Sequence, residues 1–372
     1  MNIKVLYDHD VFSGFNRGGV SRYFRELGKN LPRCGISTIA FGGLHSSDAC
    51  DEMPHFIGIR IPPFQWTWRA RALIDSVLQQ QAISWIRPQV IHKTLYGRHE
   101  YPTGIPIIIT VHDMAHERGY IRNDSTVEAK AYWIKRATHI ITPSEFTRSE
   151  LIGITGVDPG KVTCIAHGAD ALSAVQLIPT CAEPYLIYVG DRHAYKDFRV
   201  LINALSEGSI AHDYRLLCCG GGRFTPDEIA LIESAKLTER IDRIDPDDSY
   251  LSALYQQARC LVYPSRYEGF GLPIVEAMKL GCPVVAADTP VSREVTRNAA
   301  IFFTPGDGES LREALMSVAY DDQMRSAVSS QGRITTETLT WSESARCHAR
   351  IYEDAVGMRR LDAHVTRVLS KK

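Results

Sequence analysis

The sequence predicts an α/β protein made of two doubly wound domains that face each other across a cleft. The chain has 372 residues, too many for one ordinary core and suited to two domains of roughly 150 to 200 residues each. Short apolar runs alternate with amphipathic helical patterns from the first strand onward. The same alternation restarts in the second half, and such alternation is typical of parallel sheets covered by helices on both faces.

The first half opens with an apolar run that predicts a buried strand at residues 3–7. A glycine-bearing loop and a helix over VSRYFRELGKNL follow. Residues 70–86 carry apolar side chains at helical spacing, which predicts an amphipathic helix. Further strands are predicted at ISTIAF, VIHKTL, PIIITVHD, HIITPS and KVTCIAHG. Together these elements indicate a first Rossmann-like domain over residues 1–172.

The second half follows an aperiodic stretch with two prolines at residues 173–184, which we interpret as a linker. Strands are then predicted at YLIYVGD, YRLLCCGGG, RIDRID, RCLVYPS and PVVAAD, with helices between them. They indicate a second Rossmann-like domain over residues 185–341, followed by helical residues 342–372. Doubly wound sheets bind ligands at the carboxyl ends of their strands, so we expect the functional residues in the strand-end loops.

Composition narrows the class of function. The formal net charge is −1, without the basic excess of a nucleic-acid-binding protein, so we expect no nucleic-acid partner. The nine cysteines include no CxxC pair, which favours a reduced, cytoplasmic protein over a disulfide framework. The first residues predict a strand rather than a signal peptide, and no apolar run reaches the roughly 18 residues of a membrane span.

The segment YPSRYEGFGLPIVEAM holds the densest group of candidate site residues. A strand ends before a loop that contains Glu268 and Phe270, and a helix is predicted to start near Pro273. The N–H groups of Gly271 and Leu272 would then lie at a helix N-terminus, where they can bind anions or hydroxyl oxygens.

Two carboxylates flank this turn. Glu276 is expected in the first helical turn, where the helix dipole favours its ionised form. Carboxylates accept hydrogen bonds from vicinal hydroxyls, so Glu268 and Glu276 suit a polyhydroxylated ligand. Either glutamate alone would more simply be a solvated charge, but the pair around GFGLP favours a ligand site.

Three other loops hold candidates. Arg192 and Lys196 follow the strand YLIYVGD, and His112 follows the strand PIIITV. Gly18 and Gly19 precede a helix and could let the backbone approach a phosphate or an acceptor. Isolated cations are usually solvated and a lone histidine usually lies in a core, so only the strand-end positions favour function.

No acidic or histidine spacing indicates a metal site. The DPDD segment at residues 245–248 resembles a metal-binding acidic motif, but it precedes a predicted helix. We interpret it as a capping loop and expect no metal ion.

The E-x7-E pair in EGFGLPIVEAM resembles that of the retaining glycosyltransferases of family four, which have the GT-B architecture. The resemblance extends over essentially the whole chain, through GGVSRYF, TVHDMAHE, PSEFTRSEL, YVGDRHAYKDF, CCGGG and FTPGDGESLREAL. Within that family, the chain is similar to the bacterial mannosyltransferases that build O-antigen and capsular polysaccharides.

The resemblance implies a role for each candidate residue. Glu276 would hold the ribose hydroxyls of a nucleotide, and Glu268 would hold hydroxyls of the transferred sugar. Arg192 and Lys196 would contact the diphosphate, which fits their ability to stabilise a departing anion. His112 would lie close to the donor sugar and the acceptor.

The resemblance also implies an activity. A hexose, with mannose from GDP-mannose as first choice, would pass from a nucleotide diphosphate sugar to a glycan or lipid-linked glycan with retained anomeric configuration. The backbone of Phe270 to Leu272 would also face this donor, which is a substrate, so no cofactor is expected. Asp197 stands where the family commonly has asparagine. The second domain would hold the donor, and the tail helices would return to the first domain.

Other classes of protein stay open. A hydrolysing epimerase or a phosphorylase on the same fold would be a different enzyme, and a nucleotide-sugar-binding subunit would not be an enzyme at all. Contact with the inner face of the cytoplasmic membrane is a further expectation. Its basis is a set of aromatic and basic residues, namely Trp66, Trp68, Arg69, Arg71, Arg359, Arg360, Arg367, Lys371 and Lys372. A packed helix and a solvated tail explain the same residues equally well.

Overall fold

The chain divides into two compact units. The first unit comprises Met1–His167 and Trp341–Lys372, and the second comprises Gly168–Thr340. The computed structural model describes residues 3–14, 18–45, 53–61, 68–98, 100–176 and 181–369.

The described part of the first unit contains one parallel sheet. Its strands are β1 (Ile3–Tyr7), β2 (Ile36–His45), β3 (Phe56–Arg60), β4 (Val90–Lys93), β5 (Ile107–Thr110), β6 (His139–Thr142) and β7 (Val162–Cys164). They lie in the order 3-2-1-4-5-6-7. The helices beside them are α1 (Asp10–Gly14), α2 (Gly19–Asn30), α3 (Trp68–Ile86), α4 (Asp124–Arg136) and α5 (Glu145–Thr155). Most side chains of the central strands are apolar and buried because helices on both faces exclude water from them.

The described part of the second unit has the same plan. Its strands are β8 (Tyr185–Val189), β9 (Arg215–Cys219), β10 (Ile241–Ile244), β11 (Leu261–Tyr263), β12 (Val284–Ala287) and β13 (Ile301–Phe303). They form a parallel sheet in the order 10-9-8-11-12-13. The helices are α6 (Phe198–Ser206), α7 (Ile210–Asp213), α8 (Pro226–Ser234), α9 (Asp248–Gln257), α10 (Leu272–Lys279), α11 (Pro290–Thr296), α12 (Gly308–Ala319) and α13 (Asp322–Thr336).

The last helix, α14 (Trp341–Leu369), belongs to the first unit, where it packs against α2, β1 and β4. A line of buried hydrogen bonds of 2.6 to 2.9 Å starts and ends on this helix. In order, its members are Tyr352, His92, Thr110, Tyr23, His348 and the carbonyl of Ser344. Burial lowers the pKa of His348 to about 4, so its ring is neutral at pH 7, Nδ1 donates to the carbonyl and Nε2 accepts from Tyr23. Burial also lowers the pKa of His92 well below its usual value, so this ring is neutral as well.

Each sheet has a switch point, where the strand order reverses. In the first sheet it lies between β1 and β4, and in the second between β8 and β11. Ligands of doubly wound sheets bind at the carboxyl ends of the strands beside such a point.

The predicted fold class of two doubly wound α/β domains is confirmed, although two strands were not predicted. Strand β3 lies at a sheet edge, contains Gly58 and is largely exposed, so it lacks the apolar pattern of the central strands. Strand β13 is also an edge strand and has only three residues. Residues 168–172, which the sequence assigns to the first domain, group with the second unit, where the Ala169 N–H donates to the Leu339 carbonyl at 2.9 Å.

Candidate active site

Two loops meet at the switch point of the second sheet. The lysine loop, residues 190–197, joins β8 to α6, and the glutamate loop, residues 264–271, joins β11 to α10. The residues before the two helices, Asp197 and Gly271, have left-handed backbones, with φ of 51° and 98°. Neither helix receives a side-chain cap, so the N–H groups at the very start of the two helices, those of Phe198 and Leu272, keep the capacity to bind a ligand.

Three polar contacts tie these loops together. Lys196 Nζ lies 2.5 Å from Glu268 Oε1. Arg266 Nε donates to Asp197 Oδ2 at 2.6 Å, and the Arg266 N–H donates to the Tyr195 carbonyl at 2.8 Å. The structure therefore brings together two residues that the sequence predicts as site residues in separate loops, Lys196 and Glu268. It also shows that Asp197, where the family commonly has asparagine, forms an ion pair with Arg266.

The Glu268 carboxylate is held through one of its oxygens. Oε1 accepts from Lys196 and also from the Tyr263 hydroxyl at 2.7 Å. No described residue donates a hydrogen bond to Oε2. Burial raises the pKa of Tyr263, and the nearby charge of Glu268 raises it further, so the hydroxyl stays a donor. Sequence reasoning missed Tyr263, although its place at the end of β11 was a signal.

Glu276 does not lie where the sequence reasoning put it. Helix α10 begins at Leu272, which makes Glu276 its fifth residue, in the second turn. The prediction that Glu276 lies in the first turn, on which the expected effect of the helix dipole rested, is therefore wrong. Glu276 is buried, with 3% of its surface exposed.

The turn before α10 depends on glycine. Besides its left-handed φ, a Cβ on Gly271 would lie 3.2 Å from Ile274 Cδ1. The Phe270 side chain is buried, with 6% exposure, so only its backbone can face a ligand. The predicted placement of Gly271 and Leu272 at a helix N-terminus is confirmed.

Arg192 points to a different neighbour from Lys196. Its guanidinium turns toward the loop after β9 and forms an ion pair with Glu228, Nε to Oε1 at 2.9 Å. Its contact with a diphosphate stays a prediction.

His112, in the first unit, follows β5 and is partly buried. Its ring meets the Tyr23 ring edge-on, with the ring centres 5.2 Å apart. Burial lowers the pKa of His112 to about 4, against a smaller opposing effect of Asp113. The ring is therefore neutral at pH 7, and its buried Nε2 has no hydrogen-bond partner in the described part of the chain. A neutral ring suits positioning better than a fixed positive charge.

Gly18 and Gly19 lie at the start of α2. Gly18 is extended, with φ of −167°, so its conformation does not require glycine. Its N–H donates to Ser21 Oγ at 3.0 Å, and Ser21 Oγ donates back to its carbonyl at 2.9 Å. The N–H of Gly18 is thus already bonded, and its contact with a ligand stays a prediction.

The switch point of the first sheet holds a charged cluster that sequence reasoning missed. Lys93 Nζ, at the end of β4, lies 2.6 Å from Asp8 Oδ2 and 3.0 Å from Asp10 Oδ2. It also donates to Tyr101 at 3.0 Å, and Asp8 accepts from the backbone and hydroxyl of Thr94. The available signal was the acidic YDHD segment directly after the first strand.

The DPDD segment caps a helix, as the sequence predicts. Asp247 Oδ1 accepts from the Tyr250 N–H at 2.7 Å, in the first turn of α9. Among the described side chains, no group of three or more His, Cys, Asp and Glu residues is arranged to hold a metal ion.

Comparison with known families covers most of the chain in two parts. Residues 178–335 match the family described as glycosyl transferases group 1. Residues 17–171 match Glycosyltransferase Family 4.

Similar curated proteins include two that act on O-antigen chains. The O-antigen chain mannosyltransferase RfbU of Salmonella typhimurium is 28% identical over 59% of this chain and 62% of its own length. The O-antigen chain mannosyltransferase B of Escherichia coli is 30% identical over 54% of this chain and 57% of its own length. The match thus spans less than two thirds of either relative. A D-inositol 3-phosphate glycosyltransferase of Corynebacterium glutamicum is 25% identical over 95% of this chain and 88% of its own length.

Solved structures share the fold at lower identity. A sucrose-phosphate synthase from Thermosynechococcus elongatus is 19% identical, with a TM-score of 0.76 over 96% of this chain and all of that one. The Anabaena protein HepE, in complex with UDP and glucose, is 16% identical, with a TM-score of 0.75 over 95% of this chain and all of that one. With the family matches and the E-x7-E pair in its strand-end loop, the chain belongs to the family-four glycosyltransferases.

Proposed function

We propose that the protein transfers a hexose from a nucleotide diphosphate sugar to a glycan, with retention of anomeric configuration. The observation that carries this proposal is the contact of Lys196 and Tyr263 with Glu268 at the switch point of the second sheet. A lysine there can meet a diphosphate, and a held carboxylate can accept hydrogen bonds from sugar hydroxyls. The unbonded N–H groups at the start of α10 add donors for the same ligand.

Mannose is the proposed sugar and GDP-mannose the proposed donor. The similarity to two O-antigen mannosyltransferases supports mannose. The similarity to an inositol phosphate glycosyltransferase supports glycosyl transfer without favouring mannose. The proposed acceptor is a glycan or a lipid-linked glycan.

In the proposed reaction, the bond from the anomeric carbon to the phosphate oxygen breaks, and a bond to the acceptor oxygen forms on the same face. The acceptor proton passes to an oxygen of the departing phosphate. Lys196 stabilises the negative charge that builds on the leaving diphosphate, which makes a metal ion unnecessary. His112, neutral at pH 7, positions the sugar and the acceptor.

A ligand panel tests the donor first. GDP, UDP, dTDP and their sugars are added in turn, and the melting temperature is measured, because a ligand that binds only the native state raises it. The GDP compounds should give the largest rise. A rise only with UDP compounds would replace GDP-mannose, and no rise with any of them would contradict the donor site itself.

A donor-only assay separates the enzyme classes. A transferase should leave most of the GDP-mannose intact until an acceptor glycan is added. Rapid release of sugar and nucleotide without an acceptor would favour a hydrolysing epimerase. A chelator should leave turnover unchanged, and loss of turnover that a divalent ion restores would contradict metal independence.

Peripheral membrane contact is a further part of the proposal. Trp66, Lys371 and Lys372 lie outside the described residues, as do the side chains of the other residues that motivate it. Within the described side chains, an apolar groove of about 290 Å³ lies between β3 and α3, and Trp85 on its rim is 77% exposed. A large exposed aromatic beside an apolar groove suits a lipid surface. No helix in the described part of the chain is long and apolar enough to cross a membrane.

Vesicle sedimentation tests this contact. The protein should sediment with anionic vesicles at low salt and less so at high salt, because salt screens exposed charges. Trp85→Ser should weaken the binding. Trp133→Phe cannot serve as its control, because the Trp133 side chain is buried. Absence of binding at low salt would remove the membrane from the proposal and favour a soluble acceptor.

A further inference from the structure

All three guanidinium nitrogens of Arg192 donate hydrogen bonds inside the second unit. Nε donates to Glu228 at 2.9 Å, and Nη1 donates to the Gly220 carbonyl at 3.1 Å. Nη2 lies 3.0 to 3.2 Å from the carbonyl oxygens of residues 221–223. Residues 220–223, here called the glycine loop, therefore direct four consecutive carbonyls at one guanidinium.

The glycine loop has a shape that needs such a partner. Gly220, Gly221 and Gly222 have φ of 80°, 68° and 70°, three left-handed residues in a row. This run turns successive carbonyls to the same side, where they would repel one another without a cation between them. A Cβ on Gly221 would lie 2.6 Å from Arg192 Nη1 and 2.7 Å from the carbonyl of Gly190, so the position cannot take a side chain.

The surroundings of the guanidinium keep it in place. Its side chain is 2% exposed, and a buried cation is tolerated only with a charge partner and saturated hydrogen bonds. Glu228 supplies the charge, and the Phe224 ring lies 4.7 Å from Arg192 Cζ. Contact with a diphosphate would require Arg192 to leave this set of partners.

The glycine loop also touches the lysine loop. The close approach of Gly221 to the Gly190 carbonyl joins the end of β9 to the start of the loop that carries Lys196. The Gly190 N–H in turn donates to the Cys219 carbonyl at 3.0 Å. A change in the glycine loop would therefore displace the backbone that precedes Lys196.

We propose that Arg192 is a positioning residue that holds the glycine loop, and through it the lysine loop, and that it makes no contact with the donor diphosphate. The inference rests on the proposed nucleotide-sugar donor. It assigns the diphosphate to Lys196 alone among the two cations of the lysine loop. Arg192 serves this purpose through the planar fork of its guanidinium, which lysine lacks.

Amide exchange is the first test. The Gly220 N–H, which donates to the Ile244 carbonyl at 3.1 Å, should exchange at least tenfold faster in Arg192→Lys and in Arg192→Ala, because neither variant can hold the loop by four carbonyls. The matched control is Arg199→Ala, since Arg199 lies nearby on α6 and is exposed. Unchanged exchange in both Arg192 variants would overturn the proposal, as would full protection in Arg192→Lys.

Nucleotide affinity is the second test. The ratio of the Kd for GMP to the Kd for GDP measures what the second phosphate adds to binding. It should fall at least tenfold in Lys196→Ala, and adding Arg192→Ala to that variant should change it less than twofold, because Arg192 acts on the diphosphate only through Lys196. A further tenfold fall in the double variant would show a direct contact and overturn the proposal. If the unaltered protein binds neither nucleotide, the proposed function fails, and the exchange measurement still decides whether Arg192 holds the loop.

Discussion

The two switch points of the molecule place a lysine against carboxylates in different ways. Lys93, at the first switch point, is fully buried and contacts Asp8, Asp10 and Tyr101. Lys196, at the second, is 18% exposed, and the charge it meets is that of Glu268. The first cluster surrounds its cation with partners, whereas the second leaves a carboxylate oxygen without a hydrogen-bond donor from any described residue.

This difference shows that position in the fold does not by itself identify a binding residue. Both lysines lie at the carboxyl edge of a doubly wound sheet, where ligands bind. A buried lysine with three partners has no capacity for a ligand, so we assign Lys93 to stability. A lysine that is partly exposed beside a half-satisfied carboxylate can exchange its partner for a ligand.

Removal of Lys93 should have the largest effect, and that effect should be on stability. Lys93→Met leaves two carboxylates buried without their cation, which should cost about 3–5 kcal/mol of unfolding free energy. Chemical denaturation followed by tryptophan fluorescence would measure the loss. Lys161→Met, at an exposed position, should change stability by less than about 0.5 kcal/mol. Equal stability of the two variants would contradict the structural role of Lys93.

Removal of Lys196 should reverse that pattern. Lys196→Ala should lower turnover with saturating donor by about two orders of magnitude, the scale for one lost charge-stabilising group. Its stability should change by no more than about 1 kcal/mol, because the ion pair is partly exposed. Lys161→Ala is the control for turnover. Near-native turnover in a folded Lys196→Ala protein would remove Lys196 from the proposed mechanism.

The buried histidines of the first unit should make its stability depend on pH, whereas the second switch point has no such group. Burial lowers the pKa of His348 to about 4 and lowers that of His92 well below its usual value. As the pH falls, these histidines bind protons at a higher pH in the unfolded chain than in the folded chain. Their contribution to stability is therefore full above about pH 6.5 and falls as the pH drops toward 4.

His348→Gln isolates this contribution. His348 alone should account for about 2 kcal/mol of the stability lost between pH 6.5 and pH 5. The variant should be less stable than the unaltered protein at pH 7 but should lose less stability on acidification. Thermal unfolding at a series of pH values would measure both. An equal loss in the two proteins would show that His348 does not contribute.

Removal of the Tyr263 hydroxyl should have the smallest effect and would sharpen the account of the second switch point. Tyr263→Phe leaves Lys196 on Glu268, so we expect a loss of about 1 kcal/mol, or fivefold in transfer rate. The affinity for GDP should not change, because Tyr263 orients the group that meets the sugar. Tyr320→Phe, between α12 and α13, is the control, and a loss confined to GDP binding would contradict this role.

The sequence predicted the parts of the site that depend on local pattern. The strand, loop and helix around EGFGLP follow from an apolar run, a glycine and a proline at the right spacing. Glu276 was predicted in the first turn of α10 but lies in the second. The reason is that the helix begins directly after the left-handed Gly271 and not at Pro273. The edge strands β3 and β13 were missed because exposure removes the apolar signal.

Contacts between distant segments could not be predicted. Tyr263, Lys93 and Arg192 owe their roles to neighbours supplied by other strands and loops. The partners of Arg192 are mainly backbone carbonyls. Every residue has a carbonyl, so no residue type in the sequence indicates these contacts. The partners of Lys93 precede it by 83 and 85 residues, and only the sheet order brings them together.

Helix α14 has a consequence for how the chain is made. The first unit is started by residues that leave the ribosome before the second unit, yet the partners of Tyr23 and His92 on α14 leave it after the second unit. The second unit is one continuous segment, Gly168–Thr340, and is complete before α14 is synthesised. Domains generally fold as units during synthesis, from the N-terminal end. Here the order is inverted, because the second unit can fold completely before the last helix of the first unit has been synthesised.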